Sequence, residues 1–151
     1  MKKSLSIILI FATLTAISFT GCRKYEEGPS LSLSSKKSRV CGVWQVEKEI
    51  TSTNGTIAEV TSDPDWENSF IEYTKDGIVK ITAASSSGSF SVEGTWKFGS
   101  NKETIETSFG SGSLASNSSV VIIRLKGKEL WVRDYDNNGN DNYYEVHYKA
   151  K

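Results

Sequence analysis

The sequence predicts an all-β protein, a single antiparallel meander that closes into a barrel of about eight or nine strands. Apolar and polar residues alternate with a period of two in short runs, which is typical of strands with one buried face. Tight turns such as Asn54-Gly55 separate these runs, so that consecutive strands are expected to pair. Closure is favoured because it removes exposed edges, whereas a two-sheet sandwich, the competing architecture, requires longer crossovers.

The N-terminal residues are typical of a targeting signal. Lys2 and Lys3 precede the apolar run Leu5–Phe19, and small residues then lead to Cys22. This order predicts a secretory signal peptide that ends at a lipid-modified cysteine, because a transmembrane helix needs about 20 apolar residues. We expect removal of residues 1–21, lipidation of Cys22, a flexible tether over residues 22–39 and a barrel domain over residues 40–151.

Composition narrows the range of partners. The chain has 18 basic and 18 acidic residues, so it carries no basic excess that could neutralise the phosphates of a nucleic acid. Only two cysteines occur, and if Cys22 carries a lipid then Cys41 has no disulfide partner in the chain. A lone thiol in an oxidising compartment is protected by burial, so Cys41 is expected to be buried.

The strands can be placed along the chain from their alternation. In the first strand, Trp44, Val46 and Ile50 are expected on one face, with Gln45, Glu47 and Glu49 on the other. The clearest run is Phe90–Phe98, in which every second residue from Phe90 is apolar or glycine. Further strands are predicted at 56–61, 68–74, 78–84, 103–109, 120–125, 130–134 and 143–149. The Ser- and Gly-rich segment Gly110–Ser119 is predicted to be a mobile flap.

Two short motifs resemble a known family. Gly42-Val43-Trp44 opens the first strand as the Gly-x-Trp motif does in lipocalins, and Gly94-Thr95-Trp96 is a second copy. With Cys22 and the charged segment Lys24–Glu27, the layout resembles small lipocalin-like lipoproteins of Bacteroidetes. The resemblance implies a lipocalin-like barrel located at the outer membrane, either on its periplasmic face or at the cell surface. It also implies an arginine late in the chain that packs on the tryptophan of the Gly-x-Trp motif, and Arg124 and Arg133 are the candidates.

Inward-facing aromatic residues are the candidate ligand-binding residues. They are Trp44, Phe90, Trp96, Tyr144 and Tyr148. A small barrel is either filled by such side chains or leaves room for one small ligand, and both alternatives remain open at this point. Trp131 is out of phase with its neighbours, and the run Val120–Leu125 is apolar on both faces, so the outer surface is a candidate site for an envelope protein partner.

The sequence provides little support for catalysis. His147, the single histidine, lies on a strand face with Glu145 and Lys149, opposite the tyrosines, where a solvated position is expected. A Gly-x-Ser-x-Gly elbow, a phosphate-binding loop and a zinc-type cluster are all absent from the sequence. The protein is therefore predicted not to be an enzyme.

One segment matches a metal-binding pattern. Residues 134–145 fit the EF-hand consensus, in which the ligands would be Asp134, Asp136, Asn138, Asn140 and Glu145. An Asn- and Asp-rich stretch between two strands is also the ordinary composition of a hairpin loop. The sequence therefore predicts no cofactor, with calcium as the alternative.

Together these observations predict a lipid-anchored envelope lipoprotein whose barrel binds a small hydrophobic or amphipathic molecule without catalysis. The alternative is a filled barrel that serves as a structural or protein-interaction module. The predicted partners are thus the membrane and a small ligand, with an envelope protein as the alternative partner, and not nucleic acid.

Overall fold

A computed structural model describes residues 34–60, 69–85, 88–112, 115–136 and 142–151. The predicted signal peptide, Cys22 and most of the tether lie outside the described residues, as do Asn138 and Asn140. Among the described residues, no helix is both long enough and apolar enough to span a bilayer.

The described residues form one short helix and nine strands. The helix is α1 (Lys36–Val40), and the first four strands are β1 (Gly42–Thr53), β2 (Thr56–Val60), β3 (Phe70–Tyr73) and β4 (Ile78–Ser85). The remaining strands are β5 (Gly88–Phe98), β6 (Thr104–Phe109), β7 (Ser116–Lys126), β8 (Glu129–Tyr135) and β9 (Tyr143–Ala150).

The strands close into an antiparallel barrel, which confirms the predicted fold class. Strands β3 to β9 pair in sequence order, β1 pairs with β3, and β9 returns to pair with β1. Strand β2 lies outside this ring of eight, because it pairs only with the second half of β1, from Glu49 to Thr53. The barrel therefore has a longer wall at the end where β1 finishes.

Two predicted boundaries need correction. Residues 36–39, assigned above to the flexible tether, belong to α1, which begins after Ser35 caps the amide of Ser38. The helix is held against the barrel by Arg39, whose Nη1 donates to the carbonyl of Leu125 at 2.7 Å. Strand β7 starts at Ser116, so the last residues of the predicted flap are strand. A five-residue helix is too short to show an apolar period, which explains why it was not predicted.

One end of the barrel is filled and covered by α1. Val40 is fully buried, and its carbonyl accepts a hydrogen bond of 2.8 Å from Nε1 of Trp44. Trp96 makes edge contacts with the rings of Tyr73 and Phe98, and its Nε1 donates to the carbonyl of Thr74. The other buried core residues are Val79, Ile105, Ile122, Leu125, Leu130, Val132 and Val146. We call this the closed end.

Gly94 has a packing role in the barrel wall. A Cβ at this position would collide with the carbonyl oxygen of Ser108 and the ring of Phe109 on the neighbouring strand. The glycine therefore lets β5 and β6 approach closely while the Phe109 ring lies across the inner face. This is a physical reason for the glycine of the second Gly-x-Trp motif.

A β-bulge in β1 overturns one predicted face. Val46 pairs with Tyr148 but Lys48 pairs with His147, so Glu47 is an extra residue in β1. An extra residue shifts the alternation by one, and every later side chain then exchanges faces. Glu49, predicted to be outside, faces inward opposite Val146, whereas Ile50 faces outward opposite Glu145. Glu49 is only 6% exposed, which makes it a buried carboxylate inside the barrel.

Candidate functional site

The end of the barrel opposite α1 is open. Inner-face side chains that would be covered in a filled barrel are exposed there: Phe90 by 66%, Tyr144 by 40% and Val92 by 38%. The pairing register places them on the same face as the core, because Val92 lies opposite Ile81 and Tyr144 lies opposite Thr51. We refer to this open inner surface as the cup, formed by Glu49, Thr51, Phe90, Val92, Thr107, Phe109, Ser118 and Tyr144.

The two sides of the cup differ in character. Strand β5 provides Phe90 and Val92, and Phe109 of the neighbouring β6 adds a third apolar side chain. Strands β1 and β9, which provide Glu49 and Tyr144, lie three and four strands away from β5 around the ring of eight. The cup therefore has an apolar wall facing a wall that carries a carboxylate and phenol groups.

Glu49 and two tyrosines form a connected polar group below the rim. Burial raises the pKa of Tyr144, and the hydrogen bond that its hydroxyl donates to Glu49 raises it further. Burial, followed by the negative charge of Glu49, raises the pKa of Tyr148 to about 12. The Tyr144 hydroxyl thus donates a hydrogen bond to Glu49, and the negative charge of Glu49 also acts on the buried phenol of Tyr148.

The raised pKa of Tyr148 predicts a loss of stability in alkali. The folded protein holds this proton up to about pH 12, whereas the unfolded chain releases it near the ordinary tyrosine pKa of 10. The stabilisation is therefore complete below pH 10 and lost as the pH rises to 12, by about 1.4 kcal/mol per pH unit. Urea unfolding at pH 7 to 11.5, with tyrosinate absorbance as a second readout, tests this.

The matched variant for this prediction is Tyr148→Phe. It retains the ring but has no ionisable group, so its stability should fall less steeply with pH than that of the wild type. Equal slopes for the two proteins above pH 10 would contradict the prediction.

The rim beside Tyr144 carries further carboxylates. A depression of about 490 Å³ lies where β1 and β8 end and β9 begins, and both Asp134 and Asp136 line it. Asp134 faces inward, because it lies opposite Tyr144 in the pairing of β8 with β9. The approach to Glu49 is therefore acidic.

A second depression, of about 690 Å³, is lined by residues 95–97 of β5, 106–108 of β6 and 117–119 of β7. Its lining residues with outward side chains are Thr95, Lys97, Glu106, Ser108, Asn117 and Ser119. Lys97 and Glu106 form an ion pair of 3.1 Å there, and both are substantially exposed. The inward-facing residues Trp96, Thr107 and Ser118 line the same depression, so it adjoins the cup residues of β6 and β7.

The five predicted ligand-binding aromatics all face inward but lie at different depths. Trp44 and Trp96 belong to the packed core at the closed end, with their indole nitrogens hydrogen-bonded to backbone carbonyls. Phe90 and Tyr144 lie at the open end, and Tyr148 packs against the core below them. The closed end of the barrel is thus filled by side chains, whereas inner-face side chains at the other end remain exposed to solvent.

Glu49 was not among the predicted site residues, because simple alternation along β1 placed its side chain on the outer face.

The outer face of β7, β8 and β9 carries a stack of aromatic and charged side chains. The ring of Trp131 lies parallel to that of His147 with centroids 3.9 Å apart, and the guanidinium of Arg124 lies 4.5 Å from the Trp131 centroid. Arg133 lies over Tyr143 at 4.1 Å. Arg124 and Arg133, the two candidates for the lipocalin-type arginine, thus pack on aromatic side chains of the outer face. Trp131 faces outward as predicted, but it is half-buried within this stack.

The sequence predicts a solvated position for His147 beside Glu145, but in the structure both side chains are largely buried. Glu145 is 5% exposed, and its carboxylate contacts Arg133 and His147, each at 2.6 Å. The stack above His147 and the guanidinium of Arg133 exclude water from this ion pair. Because both carboxylate oxygens have partners, the arrangement is that of a buried structural ion pair.

The structure separates the predicted calcium ligands that it describes. Asp134 faces the inside of the barrel, while Glu145, paired with Arg133, faces the outside. Asn138 and Asn140 lie outside the described residues. Within the described ranges no group of three or more acidic, histidine or cysteine side chains is arranged to hold a metal ion. Calcium binding by this loop stays a prediction.

Cys41 lies between α1 and β1. It is half-buried rather than fully buried, and it packs against the core. Burial raises the pKa of its thiol, which lowers its reactivity at neutral pH.

Comparisons with known proteins bear on the fold. No protein-family model and no curated protein matches the sequence. Among solved structures, insecticyanin from the tobacco hornworm Manduca sexta matches with a TM-score of 0.52 and 12% identity, over 85% of this chain and 68% of that chain. The chain has the lipocalin fold. In this lipocalin barrel, the cup occupies the open end of the eight-stranded ring.

Proposed function

We propose that this protein binds a small hydrophobic or amphipathic molecule in the cup of its lipocalin barrel. The observation that carries the proposal is the exposure of inner-face apolar and aromatic side chains at one end only. Phe90 and Val92 are exposed, while Trp44 and Trp96 on the same inner face are buried. Apolar surface left open to water inside a barrel contributes binding free energy when a ligand covers it.

The role proposed for the protein is binding without catalysis. The only described histidine, His147, is on the outer face, where its Nε2 lies 2.6 Å from the carboxylate of Glu145, away from the cup. Phe90 and Tyr144 are the predicted ligand-binding residues that the cup retains, whereas Trp44, Trp96 and Tyr148 support the floor beneath it.

The N-terminal sequence supports a location in the cell envelope. Lipidation of Cys22 would hold the barrel at the outer membrane, on its periplasmic face or at the cell surface, as in lipoproteins of the Bacteroidetes type. A membrane anchor beside an apolar binding cup suits a protein that captures a molecule of low solubility. The competing role as a docking module has less support, because Trp131 is sandwiched between Arg124 and His147.

Filling the cup tests the proposal. Val92→Trp should place an indole across the open end and weaken binding of an uncharged environment-sensitive dye, such as N-phenyl-1-naphthylamine, by at least about tenfold. Fluorescence titration of the soluble domain, residues 34–151, measures the affinity.

Ile57→Trp is the matched control, because Ile57 is an exposed apolar residue of β2 outside the ring of eight strands. This variant should bind the dye as the wild type does. Wild-type affinity in Val92→Trp, or no saturable dye binding by the wild type, would overturn the proposed function.

A further inference from the structure

Among the described residues, Glu49 provides the one deeply buried carboxylate that faces the inside of the barrel. The bulge in β1 turns this side chain inward, and it lies opposite Val146 of β9 and Val60 of β2. A single carboxylate among valines carries a desolvation cost that a charged partner would offset. The partner that the structure describes for it is the hydroxyl of Tyr144, which is a neutral donor.

Within the described ranges, no lysine, arginine or histidine side chain faces the inside of the barrel as a partner for Glu49. Every described lysine, arginine and histidine lies on an outward strand position, in α1, in a turn of the closed end or at the C-terminus. The internal segments outside the described residues, 61–68, 86–87, 113–114 and 137–141, contain no lysine, arginine or histidine. The outer faces, by contrast, pair their acids with bases, as in Lys48–Glu59 and Arg133–Glu145.

The surroundings of Glu49 favour an organic cation over a metal ion. Calcium and magnesium require about six oxygen ligands, and the side chains at the level of Glu49 are the valines 132 and 146. A carboxylate can accept several hydrogen bonds, so Glu49 retains acceptor capacity beside the Tyr144 hydroxyl. The faces of Tyr144 and Phe90 add aromatic surfaces on which an ammonium group is also stabilised.

We propose that the cup selects amphipathic amines: the ammonium group of the ligand pairs with the Glu49 carboxylate, and its apolar body covers Phe90, Val92 and Phe109. Asp134 at the rim attracts the positively charged ammonium group before the ligand enters the cup. This inference rests on the proposed function and adds the ligand class to it.

Three probes with one alkyl chain test the charge preference. Isothermal titration calorimetry of residues 34–151 at pH 7 compares octylamine, octanol and octanoate, which are cationic, neutral and anionic. Octylamine should bind at least about tenfold more tightly than octanol, equivalent to about 1.4 kcal/mol, and octanoate should bind most weakly. Equal affinity for the amine and the alcohol would overturn the amine preference but leave the apolar cup intact. Binding of none of the three would instead refute the proposed function itself.

Two glutamate variants locate the charge that is responsible. Glu49→Gln should reduce octylamine affinity to that of octanol while octanol binding stays within about twofold of wild type. Glu47→Gln removes an exposed carboxylate two residues away, and it should leave all three affinities unchanged. A retained amine preference in folded Glu49→Gln, verified by circular dichroism, would overturn the assignment. If that variant does not fold, the wild-type probe comparison still decides the ligand class.

Discussion

Trp44→Ala should lower the free energy of unfolding by about 3–5 kcal/mol. Trp44 is 2% exposed and lies where α1 meets the floor of the barrel, so its removal leaves a cavity among Val40, Leu125 and Leu130. The variant also loses the hydrogen bond from Nε1 to the carbonyl of Val40, and that buried carbonyl then has no donor at the indole position. Urea unfolding followed by circular dichroism measures the change.

Two controls separate packing from the general cost of losing a tryptophan. Trp44→Phe keeps most of the ring volume and should lose only about 1–2 kcal/mol, mainly the hydrogen bond. Trp131→Ala removes the same side chain from the outer stack, where it is half-buried, and should lose about 1 kcal/mol. A loss at Trp44 no larger than that at Trp131 would contradict the placement of Trp44 in the core.

Glu145→Ala should be the most damaging change on the outer face, at about 3 kcal/mol. Removing it leaves the guanidinium of Arg133 and the ring of His147 largely buried without their acceptor. Breaking a buried ion pair costs about 3–5 kcal/mol, and we take the lower end because Arg133 is about one-fifth exposed. Thermal or urea unfolding measures the effect.

Glu106→Ala provides the matched comparison for an exposed ion pair. Its partner Lys97 is 76% exposed, so water already solvates both charges and the cost should stay below about 1 kcal/mol. Adding Arg133→Ala to Glu145→Ala should recover part of the loss, because the stranded cation is then removed as well. Equal costs at Glu145 and Glu106, or no recovery in the double variant, would show that Glu145 is not a buried partner.

The strands of this protein could be predicted from local sequence. All nine predicted strands are present, because alternation with a period of two and turns such as Asn54-Gly55 act over a few residues. The inward orientation of Phe90, Trp96, Tyr144 and Tyr148 was predicted correctly for the same reason. Strand β5 has no register shift, so its alternation survives from Phe90 to Phe98.

The depth of a side chain along the barrel could not be predicted in this way. Trp96 and Phe90 share one face of one strand, yet Trp96 is 5% exposed and Phe90 is 66% exposed. The difference arises because α1, a helix too short to be seen in the sequence pattern, covers only the end where Trp96 lies. Likewise, Glu145 and His147 lie on the outer face, and only the positions of Arg133 and Trp131 on the neighbouring strand make them buried.

The sequence by itself determined the closed antiparallel meander, because both strand alternation and turn chemistry are local properties. The tertiary structure alone decided that Glu49 points into the barrel. The pairing of β1 with β9 accommodates Glu47 as a bulge, and one extra residue exchanges the faces of everything that follows it. A bulge is a property of two paired strands, so no pattern within β1 could reveal it. The charge of the proposed amine site therefore depends on tertiary pairing.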